Sequence, residues 1–315
     1  MPSVVDPHTV GVIGPVASSQ FVLERLLLRQ DFVATACCSP GVGAVGCCSD
    51  PTRPLGSAQQ VIDDPQTQVI YFAGPIGAEL LLAALQRGKH VVLSPAAAMI
   101  GADELRRLAE IAADRGLVAV IDEPRRWDDD FRSAMTVAQS GRLGVLLRIR
   151  LSLLTTALPG EEFTGGVLSD LGWHWLDQLL SFVDDDLLTA RLRQFYPTAR
   201  SNDAGFMATM EFASGTSAVI ELQTQSLLSL RTGWLLEGTT GAYRAGRQYT
   251  KTADGEIIDE QVALPSLAND PFLDALSLAL QETTPAGLLM PLKHAARIAE
   301  LIESLRASTL SAPGR

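Results

Sequence analysis

The sequence predicts an α/β protein in two parts: a parallel sheet covered by helices, then an α+β part with an open, mostly antiparallel sheet. Three observations carry this. The chain has 315 residues, 47% of them hydrophobic, which is enough to bury two cores. Its first third alternates apolar runs with helical patterns, as βαβ units do. From about Leu146 the pattern switches to strict alternation, with Leu147, Ile149, Leu151 and Leu153 set between Arg148, Arg150 and Ser152. That is a strand with one covered and one polar face.

Apolar runs at 10–13, 32–37, 69–73, 90–93 and 117–121 are predicted strands. Helices are predicted over 19–29, 78–87 and 102–115, the last two stopped by Gly88 and Gly116, since glycine ends helices without steric cost. Pro124, after Asp122 and Glu123, marks a crossover, which places the domains at 1–123 and 124–315 and leaves the last helices open to pack back on the first. Further strands are predicted at 190–196, 206–212, 216–222, 231–237, 242–249 and 256–263, with Ser214-Gly215 and Asp254-Gly255 as hairpin turns. Residues 172–182, 271–281 and 291–307 read as helices, and 308–315 as a frayed tail.

The formal net charge of −11 opposes binding to a phosphate backbone, so nucleic acid is excluded as a partner. No apolar run reaches membrane-spanning length and the first residues lack a signal-peptide pattern; the expectation is a soluble, cytoplasmic protein with no membrane partner. The four cysteines form two adjacent pairs, Cys37-Cys38 and Cys47-Cys48. Neighbours on a strand point to opposite faces, so one pair does not offer two thiolates to one metal; no metal site is expected, and the cysteines are read as reduced. The runs Asp128-Asp129-Asp130 and Asp184-Asp185-Asp186 are read as solvated charge beside helices rather than cation sites.

The chemistry concentrates in Gly165-Gly166-Val167-Leu168-Ser169-Asp170-Leu171-Gly172-Trp173-His174-Trp175-Leu176-Asp177. On one continuous helix, Asp170 and His174 share a face. The glycine pair lets backbone approach a ligand, and a histidine beside a carboxylate suits proton transfer. The bland alternative is a helix start capped by Asp170 with His174 merely packed. Trp173 and Trp175 flank His174 on other helical faces, so at least one of them is expected in the core. Arg125-Arg126 likewise has two readings, an anionic ligand at the crossover or a surface ion pair.

Taken in order, several segments resemble the glucose-fructose oxidoreductase, inositol dehydrogenase and rhizopine-catabolism dehydrogenase family. They are Val10-Gly11-Val12-Ile13-Gly14, Ala84 through Val91, Gly141-Arg142-Leu143-Gly144, Gly165 through Asp177, Gly238-Thr239-Thr240-Gly241 and Asp270-Pro271-Phe272. The resemblance spans almost the whole chain. It implies an N-terminal Rossmann domain binding NAD or NADP, a C-terminal domain whose open sheet mediates homo-oligomerisation as dimer or tetramer, and hydride transfer at a hydroxyl carbon of a small sugar or cyclitol. In the family's pattern the D-x3-H pair, here Asp170 and His174, positions the substrate and moves its proton; both are predicted to face an interdomain cleft.

The cofactor segment departs from that pattern. The run is Gly14-Pro15-Val16-Ala17-Ser18-Ser19, so only the first fingerprint glycine is present. Val16 is branched where a phosphate approaches, and Pro15 removes a backbone donor. The second strand ends Cys37-Cys38-Ser39-Pro40, without the carboxylate that grips an NAD ribose; Ser39 suits the 2′-phosphate of NADP, with Arg53 a more distant helper. Pro75, in a shortened Pro75-Ile76-Gly77 loop, completes the expected cofactor-binding set of Gly14, Pro15, Val16, Ser39 and Pro75. The literal G-x-G-x-x-G at Gly41, Gly43 and Gly46 is rejected, because no helix pattern follows it. Where the family places Glu-Lys-Pro, the chain has Leu93-Ser94-Pro95, so a lysine acid–base group is missing. Two functions remain: an NAD(P)-dependent oxidoreductase relying on His174, or a non-redox ligand-binding or interaction protein on the same scaffold. The residues 155–164 hold no signature of the substrate.

Overall fold

The computed structural model describes residues 6–39, 53–155, 165–198, 202–267, 269–282 and 287–308. The chain opens with β1 (His8–Ile13), α1 (Val16–Leu27), β2 (Phe32–Cys38), β3 (Arg53–Pro54), α2 (Ala58–Asp63), β4 (Val69–Phe72), α3 (Ala78–Gln86), β5 (His90–Leu93), α4 (Ala102–Asp114) and β6 (Ala119–Ile121). A 3-10 turn at Pro124–Trp127 leads to α5 (Asp129–Gln139), β7 (Leu146–Leu154), α6 (Val167–Asp170), α7 (Gly172–Phe182), β8 (Leu187–Phe195), β9 (Gly205–Phe212), β10 (Ser217–Gln223), β11 (Leu230–Gly238), β12 (Gly241–Arg244), β13 (Arg247–Lys251) and β14 (Ile257–Gln261). Then follow α8 (Pro271–Glu282), β15 (Met290–Pro291) and α9 (Leu292–Ala307). Two compact units result, one of Met1–Pro124 with Leu267–Ala299, the other of Arg125–Ser266 with Glu300–Arg315.

In the first unit the strand order is β15-β6-β5-β4-β1-β2-β3, parallel except for β15 against β6. This is the doubly wound order of a dinucleotide-binding sheet, with the chain reversing direction on either side of β1. The strands are buried on both faces, which is why they read as continuous apolar runs: Val69 to Phe72 are all buried. Arg25 of α1 grips Asp270 at 2.7 and 3.1 Å and also pairs with buried Asp122, to which Tyr71 donates its hydroxyl at 2.7 Å. Burial drives the Asp122 carboxyl up and the Arg25 guanidinium draws it down. Cys37 is disulfide-bonded, which corrects the expectation of reduced thiols at that position; its partner lies outside the described residues, as do Cys47, Cys48 and the glycines at 41, 43 and 46.

The second unit is an eight-stranded sheet, order β14-β13-β12-β11-β7-β10-β9-β8, in which only β7 and β10 run parallel. Alternation sorts the side chains. Ile149, Leu151, Phe206, Ala208, Met210, Ile220, Leu222, Trp234 and Leu236 are buried on the face that meets α5 and α6. Arg148 and Arg150 point the other way and are exposed. The single strand expected over 242–249 is two strands, folded back at Ala245 (φ 49°) and Gly246 (φ 77°). Consecutive left-handed residues make the tight hairpin whose twist matches the strands, and Gly246 N donates to the Tyr243 hydroxyl at 3.0 Å. The acidic run at 128–130 is not merely solvated. Asp130 accepts from Trp234 N at 2.9 Å, where β11 bulges at Gly233, and from the Tyr243 hydroxyl at 3.0 Å. Burial pushes that phenol up to about 12. No helix among the described residues is long and apolar enough to cross a membrane.

His90 gives the first unit a pH dependence. Its Nδ1 accepts from Val118 N at 3.0 Å, and burial, with the nearby His8 imidazole as a smaller cause, lowers its pKa from 6.5. Protonation removes the acceptor and is therefore favoured in the unfolded chain, so stability is full above pH 6.5 and falls as pH drops below it. Urea midpoints should decline between pH 7 and pH 5.5, and His90→Gln should flatten that decline; parallel profiles for both proteins would contradict the assignment.

Candidate functional site

At the C-terminal ends of β1 and β4, backbone comes close enough that side chains are excluded. A Cβ on Gly14 would lie 2.9 Å from the Ala73 Cβ, and one on Gly74 only 2.5 Å from Pro15 Cδ. Gly14 is thus required by the strand-to-strand approach, while the Pro15 ring rests on Gly74. Helix α1 begins immediately after, with Pro15 as N-cap, no side-chain cap and no acidic residue in its first turn. Ser19 N bonds back to Pro15 O at 2.9 Å, leaving the amides of Val16, Ala17 and Ser18 as the helix's open donors. The Ser19 hydroxyl is not among the open groups, since it donates to Gly14 O at 3.0 Å. Val16 is half-buried; Pro15 and Pro75 are exposed.

Ser39, just past β2, is 3% exposed and its hydroxyl has no hydrogen-bond partner. An unsatisfied buried hydroxyl is costly, and here it stands where open α/β sheets receive a ribose. Ser94, at the end of β5, spends its hydroxyl as acceptor for Ala97 N at 3.3 Å, closing a turn. It has no titratable group to substitute for a lysine.

In the second unit the glycine-rich segment is two helices rather than one. Helix α6 ends at Asp170 and α7 starts at Gly172, with Leu171 (φ −113°, ψ −30°) as the break. Both sequence expectations for Asp170 are therefore modified: it shares no continuous helix with His174, and it does not cap α7. Its carboxylate instead accepts from Gly165 N at 3.2 Å, and a Cβ on Gly165 would crowd Oδ1 at 2.7 Å. The cap of α6 comes from Asp203, whose carboxylate accepts from Leu168 N at 3.0 Å and lies against Gly166 (φ 87°), where no Cβ has room. No local spacing announces Asp203, because it is more than thirty residues from the helix it caps. His174 is half-exposed between Trp173 (4% exposed) and Trp175 (3%), so both indoles are core and the imidazole is the group left at the surface.

One turn further along α7 an ion pair anchors the segment. Arg126 donates to Asp177 through Nε at 2.9 Å and Nη2 at 2.6 Å; Asp177 is fully buried and Arg126 nearly so. The fork geometry fixes the guanidinium against α7. Gln178 donates to Arg125 O at 2.6 Å and accepts from Trp234 Nε1 at 2.7 Å, which ties the 3-10 turn, α7 and β11 together. Of the two readings of Arg125-Arg126, the ion pair holds for both, in the interior for Arg126 and at the surface for Arg125, which pairs with Asp128 at 3.7 Å. The Arg125 guanidinium also lies over the Trp175 ring, 4.9 Å from the centroid.

Comparison with known proteins agrees with this architecture. Residues 131–244 match the model of the GFO/IDH/MocA C-terminal domain. The chain is 30% identical over 132 residues to the scyllo-inositol 2-dehydrogenase (NADP(+)) of Bacillus subtilis, covering 39% of this chain and 36% of that protein. It is 22% identical over 205 residues to the levoglucosan dehydrogenase of Pseudarthrobacter phenanthrenivorans, covering 60% of this chain and 52% of the relative. The matched stretches thus span less than two thirds of either relative. In fold, the chain superposes on an NAD-binding protein from Listeria innocua with a TM-score of 0.78 at 18% identity, covering 97% and 98% of the two chains. Residues 131–244 are thus similar to the GFO/IDH/MocA C-terminal domain, and the chain as a whole shares the fold of the solved structures it matches.

The buried pair is the test of how the segment is built. Removing one partner of a buried ion pair leaves the other charge uncompensated, at a cost of about 3–5 kcal/mol. Asp177→Ala should therefore lower unfolding stability by that order in denaturant titration, and Asp177→Leu with Arg126→Met together should cost less than Asp177→Ala alone. Equal losses in both proteins would show that the pair is not what holds α7.

Proposed function

We propose that this protein is an NAD(P)-dependent oxidoreductase acting at a hydroxyl carbon of a small sugar, cyclitol or related compound. The observation that carries the reading is His174, a part-exposed imidazole whose two sequence neighbours are buried indoles, on a helix that Arg126 and Asp177 lock in place. A base so positioned takes the proton of a substrate hydroxyl. Asp170, across the break at Leu171, orients that hydroxyl, and the Gly165-Gly166 backbone lets the ring approach. The relatives' names support the substrate class, since one acts on scyllo-inositol and another on levoglucosan.

The residues present fit a dinucleotide. The amides of Val16 to Ser18 offer donors to phosphate at a helix start that no carboxylate occupies, and Ser39 offers a buried hydroxyl in want of a partner. A dinucleotide held by these residues would supply the hydride acceptor for the carbinol carbon. No carboxylate follows β2 to favour an unmodified ribose, so NADP is the preferred form. The half-buried Val16 side chain would narrow the approach of a pyrophosphate to these amides. In calorimetry NADP+ should bind more tightly than NAD+, and Val16→Gly should tighten both by about tenfold, the equivalent of one added charge-assisted hydrogen bond. Tight NAD+ binding by the unmodified protein would place the cofactor on other groups. No binding of either form would leave the chain as a ligand-binding protein without redox chemistry.

The same reading includes self-association. The sheet face opposite α5 and α6 mixes ion pairs, such as Arg148 with Glu237 at 2.7 Å, with the half-exposed apolar residues Val219, Leu235 and Met207. A second copy covers such a face economically. Light scattering at micromolar concentration should give a dimer or tetramer, and Val219→Glu should shift it toward monomer; a monomeric unmodified protein would refute the association.

A further inference from the structure

The open face of the sheet in the second unit carries a row of arginines. Strand register places Arg247 opposite Arg244, Arg244 opposite Leu235, Leu235 opposite Arg150, Arg150 beside Val219, Val219 opposite Thr209 and Thr209 opposite Arg191, from β13 on one side to β8 on the other. No carboxylate interrupts the row. Strands stand about 4.8 Å apart, so Arg244 and Arg150 rise about 10 Å from each other across Leu235, with Arg191 about 14 Å beyond Arg150. Neighbouring rows hold acids, but these do not balance it. Glu237 is paired with Arg148 at 2.7 Å, and Asp259 with Arg247 at 2.6 Å. Glu211 and Glu221 remain, against exposed Arg150, Arg191, Arg193 and Arg244, none of which has an ion pair or a side-chain hydrogen bond among the described residues. Arg193 lies over the Phe195 ring, 5.5 Å from its centroid, and keeps its charge there. With paired and unpaired groups counted alike, arginines outnumber carboxylates on this face of a chain whose net charge is −11. A second copy related by a twofold axis presents the same surface, arginines included. Its two unpaired glutamates can answer two of the four open arginines; those left over face their like as water is removed, and uncompensated charge out of water is costly.

We propose that the arginine row binds a multivalent oxyanion, phosphate or sulfate, and that self-association through this face depends on that anion. A guanidinium forks onto two oxygens of an oxyanion, and the side chains of Arg150 and Arg244 are long enough to converge on one from either side of half-exposed Leu235. An anion held there turns a repulsive row into an attractive one, because arginines of both copies share it. The inference rests on the reading of this face as the self-association surface, and it adds the ligand which that surface takes.

The test is light scattering of the full chain over a dilution series, in chloride, phosphate and sulfate buffers of equal pH and ionic strength. The dissociation constant for self-association should be at least about tenfold lower in phosphate or sulfate than in chloride, the scale of one charge-assisted pair. Arg150→Gln removes the repulsion and a main part of the anion site together. It should therefore associate in chloride about as tightly as the unmodified protein does in phosphate, and lose most of its response to phosphate. Arg191→Gln, at the far end of the row, should shift in the same direction by less. If Arg150→Gln fails to fold, Arg244→Gln reads out the same loss. These anions also strengthen apolar contacts in general, but that effect acts alike on every variant. A phosphate response that persists undiminished in the variants therefore overturns the inference. Equal association of the unmodified protein in chloride and phosphate overturns it too, and leaves self-association standing. A monomer in every buffer overturns both.

Discussion

The Arg126–Asp177 pair is the constraint on which the position of α7 in the second unit depends. Two charges removed from water stay charged in the interior only if each meets the other with good geometry. Here the demand fixes the 3-10 turn against α7, and Gln178 extends the hold to Trp234 in the middle of the sheet. Trp175 and Phe182 pack around Trp234, with Phe182 edge-on at 5.1 Å. The helix face that carries His174 is thereby set by groups that do no chemistry themselves. Positioning of this kind is what a proton-transfer group needs, because small displacements at the reacting atoms cost large factors in rate.

The first unit obeys a different constraint, the space between strand ends. At the switch point around β1 a dinucleotide-binding sheet needs backbone without side chains, and Gly14 and Gly74 supply it. Pro15 then fills part of what Gly74 leaves open. Pro15 and Val16 bring a ring and a branched side chain to this turn, and α1 starts with no side-chain cap and no acidic residue in its first turn. Amides at a helix start and the side-chain bulk beside them are separable properties, because one belongs to the backbone and the other to side chains.

Much of the fold was legible in the sequence. The boundaries of β5 and α7 coincide with the periodicity, since a buried strand is a continuous apolar run and an amphipathic helix repeats every third and fourth residue. The hairpin at Ala245 was not legible: a run from 242 to 249 alternates without interruption, and alanine does not signal a left-handed turn. Nor was the role of Asp130, read as solvated charge, because the amide it receives belongs to a bulge in a strand more than one hundred residues away. At the candidate site, Asp170 and His174 stood out by spacing, but spacing does not encode the break at Leu171 between them.

By itself the sequence determined the two sheets, their order of appearance and the residues of the glycine-rich segment, because patterns of period two and 3.6 follow from which face each element must bury. It also determined what is missing from the cofactor loop, since a side chain's bulk and an absent amide are properties of single residues. Tertiary structure alone decided that Asp203 caps α6, that Asp177 is consumed by Arg126, and that Arg125 is turned onto Trp175. Those are pairings between distant residues, and a charge in a sequence says nothing of which opposite charge, amide or ring the folded chain will bring to it.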